Sequence, residues 1–189
     1  MKRQTIALAA SAVMLLTGCI VTSVHPYFSP KDAVYDPALL GQWTNTQSEE
    51  RWVFQKAGSN AYNLTFISDG KTNLANVQLF KLNGQMFLDF VSADSECDVF
   101  PPPVPSHFLL RAHQLAPTIR LAPLNNDWLK ALLERNPKAL RHILIGDKAD
   151  DRSVVLTAET QELQQFLRAH LDSEDAWKDS FELRRVAAQ

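Results

Sequence analysis

The chain has 189 residues, with 19 Lys plus Arg against 21 Asp plus Glu, a formal net charge of -2 and two cysteines. That length supports one moderate core in which roughly two thirds of the unfolded surface is buried. Slight acidity removes any broad electrostatic attraction for nucleic acid or other polyanions, and two cysteines exclude a disulfide-dense scaffold.

Lys2 and Arg3 precede an apolar run from Ile6 to Leu16. It is too short to span a bilayer, which takes about 20 apolar residues, and it suits the apolar part of an export signal. Leu16-Thr17-Gly18-Cys19 at its end resembles the lipobox of bacterial lipoproteins. The resemblance implies cleavage between Gly18 and Cys19, a diacylglyceryl thioether on Cys19, and acylation of the new amino group by a fatty acid such as palmitate. Residues 1–18 are then a signal peptide, and the mature chain hangs from a membrane in the bacterial cell envelope. Several acyl chains make that attachment permanent, at roughly 0.8 kcal/mol per buried CH₂. Ile20 stands where enterobacterial lipoproteins kept in the inner membrane carry aspartate, so the expected site is the outer membrane, facing the periplasm. With Cys19 lipidated, Cys97 has no partner in the chain; it reads as a structural thiol, with an intermolecular partner as the alternative.

Residues 19–38 contain Pro26, Pro30 and Pro37 and read as the lipidated N-terminus and a tether. A single β-rich domain is expected over 39–189. Gly41-Gln42-Trp43 opens a first strand to Thr46. Trp52 and Phe54 alternate in the next segment, and Tyr62, Leu64 and Phe66 in the one after the Gly58-Ser59-Asn60 turn, as strands require. Asn83-Gly84 sits between Val77 to Leu82 and Met86 to Val91, which predicts a hairpin because both turn residues tolerate positive φ. Asp94, Glu96, Asp98 and the prolines 101–103 and 105 make a loop with polyproline character.

Two further strands are expected at His107 to Gln114 and Thr118 to Pro123. A helix capped by Asn126 follows, with Trp128, Leu129, Leu132 and Leu133 on one face and Pro137 as its stop. Arg141 to Ile145 and Ser153 to Thr157 read as another strand pair. Leu163, Phe166, Leu167 and Leu171 then recur at helical spacing, with Thr157 or Thr160 as the cap, and residues 181–186 form a last strand. The fold class is α+β, mainly antiparallel β, as a curved sheet or a closed barrel with two packed helices.

Gly41-Gln42-Trp43, just inside the first strand, resembles the Gly-x-Trp signature of the lipocalin and wider calycin group. The resemblance implies an eight-stranded barrel closed at one end by Trp43, beneath a basic side chain from near the last strand, Arg184 or Arg185. The expected second-region Thr-Asp-Tyr is missing. Val77 to Gly84 followed by Phe87-Leu88-Asp89 resembles small uncharacterised bacterial lipoproteins, which implies a shared fold and no particular activity. In a barrel, Trp52, Phe54, Tyr62, Phe66, Phe80, Met86 and Phe90 are candidates to line an apolar ligand space; the competing expectation is that they fill a packed core.

The histidines at 25, 107, 113, 142 and 170 form no His-Glu-x-x-His or zinc spacing. An EF-hand beginning at Asp94 fails, because Val99 and Pro105 occupy the positions of its glycine and its bidentate glutamate. No Gly-x-Ser-x-Gly elbow, no Ser-x-x-Lys with Lys-Thr-Gly, and no phosphate-binding glycine loop is present. The expectation is therefore a lipid-anchored envelope accessory or protein-interaction module without catalysis, metal or cofactor, contacting an envelope protein through the acidic and proline loop. The alternative is lipocalin-like binding of a small hydrophobic molecule or lipid.

Overall fold

The computed structural model describes residues 21–93, 106–146 and 152–187. In chain order these form β1 (Thr22–Ser23), β2 (Gly41–Asn45), β3 (Arg51–Ala57), β4 (Ala61–Ser68), β5 (Lys71–Leu82), β6 (Gln85–Ser92), β7 (His107–Gln114) and β8 (Ile119–Pro123). Then come α1 (Asn126–Arg135), β9 (His142–Ile145), β10 (Ser153–Leu156), α2 (Thr160–Ala169) and β11 (Phe181–Arg185). The tight turns are built where the sequence allows positive φ: Asp69 and Gly70 at 50° and 71°, Asn83 and Gly84 at 45° and 84°.

Each strand from β2 to β8 pairs antiparallel with the next, β8 pairs with β11, and β11 returns to β2. The result is a closed eight-stranded antiparallel barrel with two packed helices, an α+β fold of the general calycin kind. Between β8 and β11 the chain leaves the wall to form α1, β9, β10 and α2. Past the end of β8, β1 takes over the edge of β7, with Thr22 opposite Phe108 and Ser23 opposite His107. β1 runs parallel to β10, which pairs with β9, so these three strands make a flap outside the barrel.

Two cores result. Inside the barrel pack Trp43, Phe54, Leu64, Leu79, Leu88, Leu110 and Leu183. On the outer wall, Phe80, Phe87 and Leu109 meet Leu129 and Leu133 of α1, Leu163 and Leu167 of α2, and Trp177. The nearly unbroken apolar run from Met86 to Phe90 follows from this, since β6 is covered on both faces. Each large side chain so buried contributes roughly 1.5–3 kcal/mol.

The domain begins earlier than the boundary expected at residue 39. Val21, Ser23 and Tyr27 are buried, and the segment expected as a tether is fastened to the wall. The Tyr27 amide donates to Asp89 Oδ2 at 2.9 Å, Gln164 Nε2 donates to the Tyr27 carbonyl, and the Val34 amide donates to the Leu79 carbonyl. Prolines prevent regular structure here, yet buried backbone groups still require partners, and these lie far away in sequence. Asp89 is 1 % exposed and also bonds His107 Nδ1 at 2.8 Å. Burial raises its carboxyl above the ordinary range, although the His107 hydrogen bond and charge and the Tyr27 amide pull the other way.

Helix capping differs from expectation at both helices. Asn125, one residue before the expected cap, has extended backbone and accepts the Trp128 amide at 2.8 Å. At α2 the N-cap is Glu159, with no side-chain cap bond. Thr160 instead donates its hydroxyl to the Pro26 carbonyl at 2.7 Å, which ties the helix to the lead-in segment.

Candidate ligand site at the aromatic end of the barrel

One end of the barrel is plugged. Trp43 is fully buried and donates its indole N–H to the Leu39 carbonyl at 2.9 Å, across the short 3₁₀ turn Pro37–Leu39. The Arg185 guanidinium lies 4.2 Å from the Trp43 ring centroid and donates to the carbonyls of Leu40 at 2.8 Å and Ala38 at 2.7 Å. Gly41 has φ of +117°, and a Cβ there would stand 2.6 Å from Arg185 Nη1. Both the backbone and the guanidinium therefore require glycine at this position. Of the two basic candidates on β11, Arg185 makes these contacts; Arg184 is exposed and faces the other way. Period-two alternation is the reason, because Phe181, Leu183 and Arg185 share one face. Tyr62 completes the plug, stacked on Tyr35 at 5.2 Å and bonded through its hydroxyl to the Asp36 amide and carbonyl.

The opposite end carries aromatic rings. Trp52 on β3 is 8 % exposed and contacts Phe66 on β4 at 5.0 Å edge-on, Phe90 on β6 at 6.2 Å and Phe181 on β11 at 5.9 Å. Phe108 on β7 stands 6.0 Å from Phe90. Phe66, Phe108 and Phe181 are only half-buried, so apolar ring surface meets solvent at this mouth. The Trp52 indole nitrogen is buried and has no hydrogen-bond partner among the described residues. Buried donors are almost always satisfied, and indole rarely forgoes its partner. Among the described residues, this end thus combines part-exposed phenyl rings with one unpartnered indole N–H, a surface suited to an apolar body that carries a hydrogen-bond acceptor.

Of the residues expected to line a ligand space, Trp52, Phe66 and Phe90 meet at this mouth. Phe54 packs beneath them, 6.2 Å from Trp52, and Met86 lies half-buried on the inner wall. Tyr62 belongs to the plug. Phe80 is placed elsewhere: it points outward, stacked on Phe87 at 5.4 Å and near Phe28 at 6.0 Å, in the outer core. Its cross-strand pairing with Phe87 fixes that direction. Phe108 and Phe181 were missed, although alternation from Leu110 and Leu183 places both on the inner face.

The histidines stay apart. His25 sits 3.5 Å from Glu159, His107 bonds Asp89, and His142 Nδ1 bonds the Leu140 carbonyl. His113 falls at the irregularity between Ala112 and Gln114, with its basicity lowered by burial and by Arg111 and Arg120. His170 packs against Phe166 at 4.6 Å and Trp128 at 5.1 Å, and burial lowers its basicity. Among the described residues, no group of three or more His, Cys, Asp and Glu is placed to hold a metal ion, and no helix is long and apolar enough to cross a membrane. Gly18, Cys19, Cys97, the acidic residues 94–98 and the prolines 101–105 lie outside the described residues.

The likeness to the calycin group is one of general architecture, carried by the closed barrel and the geometry at Gly41, Trp43 and Arg185. Comparison of the chain with protein-family models, curated proteins and solved structures gives no match.

Proposed function

We propose that this protein binds a small hydrophobic molecule or lipid at the aromatic mouth of its barrel, in the periplasm, while lipid on Cys19 holds it to the outer membrane. The observation that carries the reading is the cluster of Trp52, Phe66, Phe90, Phe108 and Phe181 at the end of the barrel away from the plug, of which Phe66, Phe108 and Phe181 are part-exposed. Below it the barrel is filled by Trp43, Phe54, Leu64, Leu79, Leu88 and Leu110, so the ligand sits shallow. Covering about 200–300 Å² of apolar surface there supplies roughly 5–8 kcal/mol, an upper bound that corresponds to micromolar affinity at best and from which association costs subtract.

An apolar fluorophore, N-phenyl-1-naphthylamine, tests this with the chain from residue 20 onward. Its emission rises saturably on binding, and Trp52→Ala weakens binding at least tenfold while Arg184→Ala leaves it unchanged. Absence of saturable binding, or equal binding by the Trp52→Ala variant, overturns the reading.

A further inference from the structure

The flap outside the barrel lies beside the point from which the proposed anchor must leave the domain. Val21 is 3 % exposed and belongs to the outer core with Val154 and Leu156, so the chain is fixed to the wall from there onward. Cys19 is two links away, about 7 Å at full extension. β1 runs parallel to β10 with Thr22 opposite Val155, and β10 antiparallel to β9 with Val155 opposite Ile143 and Ser153 opposite Ile145. The chain before Thr22 therefore starts from the end of the flap that carries Ile145. β9 is two strand spacings from β1, about 10 Å, which puts Ile145 within about 20 Å of Cys19 whatever direction the two links take. The same registers set Phe108, Thr22, Val155 and Ile143 in one row on one face. Phe108 is a ring of the barrel mouth, so this face of the flap continues the lining of the barrel outward. On it Thr22, Ser153 and Val155 are half-buried, and Ile143 and Ile145 are 50 % and 54 % exposed. Among the described residues of these three strands it carries no charged side chain. The next charge in line, Arg141, stands at the end away from Val21 and is paired with Glu162 at 2.8 Å.

We propose that this face of the flap lies on the bilayer that holds Cys19, with Ile143 and Ile145 in the headgroup region. The proposal rests on acylation of Cys19. Acyl chains enter the hydrocarbon directly from that residue, and a link of two residues holds the flap close to the lipid surface. Apolar burial then turns the uncharged face toward the lipid. The free edge of β9 carries backbone groups that hydrocarbon does not satisfy, so the strand stays at headgroup depth. Two isoleucines are too small an apolar area to hold a protein on a membrane by themselves. At the local concentration that the short link imposes they need only orient a domain already attached. In that orientation the row from Ile143 to Phe108 runs from the bilayer to the mouth.

Quenching from within the lipid tests this on the full-length, lipidated chain. In a Cys97→Ser background, Ile145→Cys takes an NBD fluorophore, and the protein is reconstituted in vesicles of phosphatidylethanolamine and phosphatidylglycerol that contain doxyl-labelled phosphatidylcholine. Gln55→Cys is the control, exposed on β3 and four strands from β7 in either direction round the barrel. The doxyl lipid quenches the fluorophore at 145 at least threefold more than at 55, and aqueous iodide quenches in the reverse order. Ile143→Glu in the chain labelled at 145 lowers the lipid quenching at least twofold while the circular dichroism stays the same. Equal lipid quenching at 145 and 55, or no effect of Ile143→Glu, overturns the proposal and leaves the anchor standing. Shielding from iodide without quenching by the lipid means that a second copy covers the flap, and it overturns the proposal as well. Intact mass of the same sample separates the two readings, because a free Cys19 thiol ends both.

Discussion

Removing the Arg185 side chain strips two hydrogen bonds from the carbonyls of Ala38 and Leu40 and one cation–π contact from Trp43. Each bond has a charged donor but sits near solvent, so about 1 kcal/mol apiece is appropriate. The ring contact adds about 0.5–1 kcal/mol. Arg185→Ala therefore costs about 2–3 kcal/mol, which lowers the melting temperature by roughly 4–12 °C in a chain of this size. Gly41→Ala acts on the same feature from below. At φ of +117° the backbone strain alone costs about 1–3 kcal/mol, and the new Cβ also pushes away a guanidinium that would lie 2.6 Å from it. The double variant has no guanidinium to displace, so its cost falls short of the sum of the single costs by about 1–2 kcal/mol. Urea unfolding followed by circular dichroism measures all four proteins, with Arg184→Ala as a control that stays within about 0.5 kcal/mol of the parent. Additive costs, or an Arg185→Ala loss no larger than that of the control, refute the reasoning.

Asp89→Ala leaves the Tyr27 amide and His107 without their buried acceptor and costs about 3–5 kcal/mol by urea unfolding. Because burial raises the folded carboxyl above its unfolded value, the contribution of Asp89 is complete below about pH 4 and is lost as pH rises through the folded value. Unfolding measured across pH 4–7 therefore shows this loss in the parent and not in Asp89→Asn. Asn125→Ala removes the cap of α1 and its bond to Asp179, for a cost of about 1–2 kcal/mol read from the same transition. Intact-mass analysis of membrane-derived protein finds residues 1–18 gone and Cys19 acylated; a retained leader or a free Cys19 thiol contradicts the anchor.

Alternation carried much of the fold. Trp52 and Phe54, Tyr62 to Phe66, and the turn at Asn83-Gly84 each place a strand or hairpin that the structure contains. Alternation fails on β6 and the end of β5, where Phe80 and Phe87 face one core while Leu79 and Leu88 face another. An apolar run alone does not tell inside from outside when both faces are covered. The lead-in segment was misread for a different reason. Its prolines are visible in the sequence, but the bonds that pin it, from Tyr27 to Asp89 and Gln164 and from Val34 to Leu79, span dozens of residues. The cap of α1 shifted from Asn126 to Asn125 because adjacent asparagines offer equal capping chemistry, and only backbone geometry separates them. At Gly41 and Trp43 the sequence leaves a choice between two arginines, and the phase of Leu183 puts Arg185 against the Trp43 ring.

Native mass spectrometry of the chain from residue 20 onward, exported to the periplasm and released without detergent, tests the central claim most directly. The barrel mouth predicts a fraction carrying a lipophilic mass that Trp52→Ala fails to retain. A bare polypeptide mass in every preparation, or an adduct that survives loss of Trp52, contradicts it.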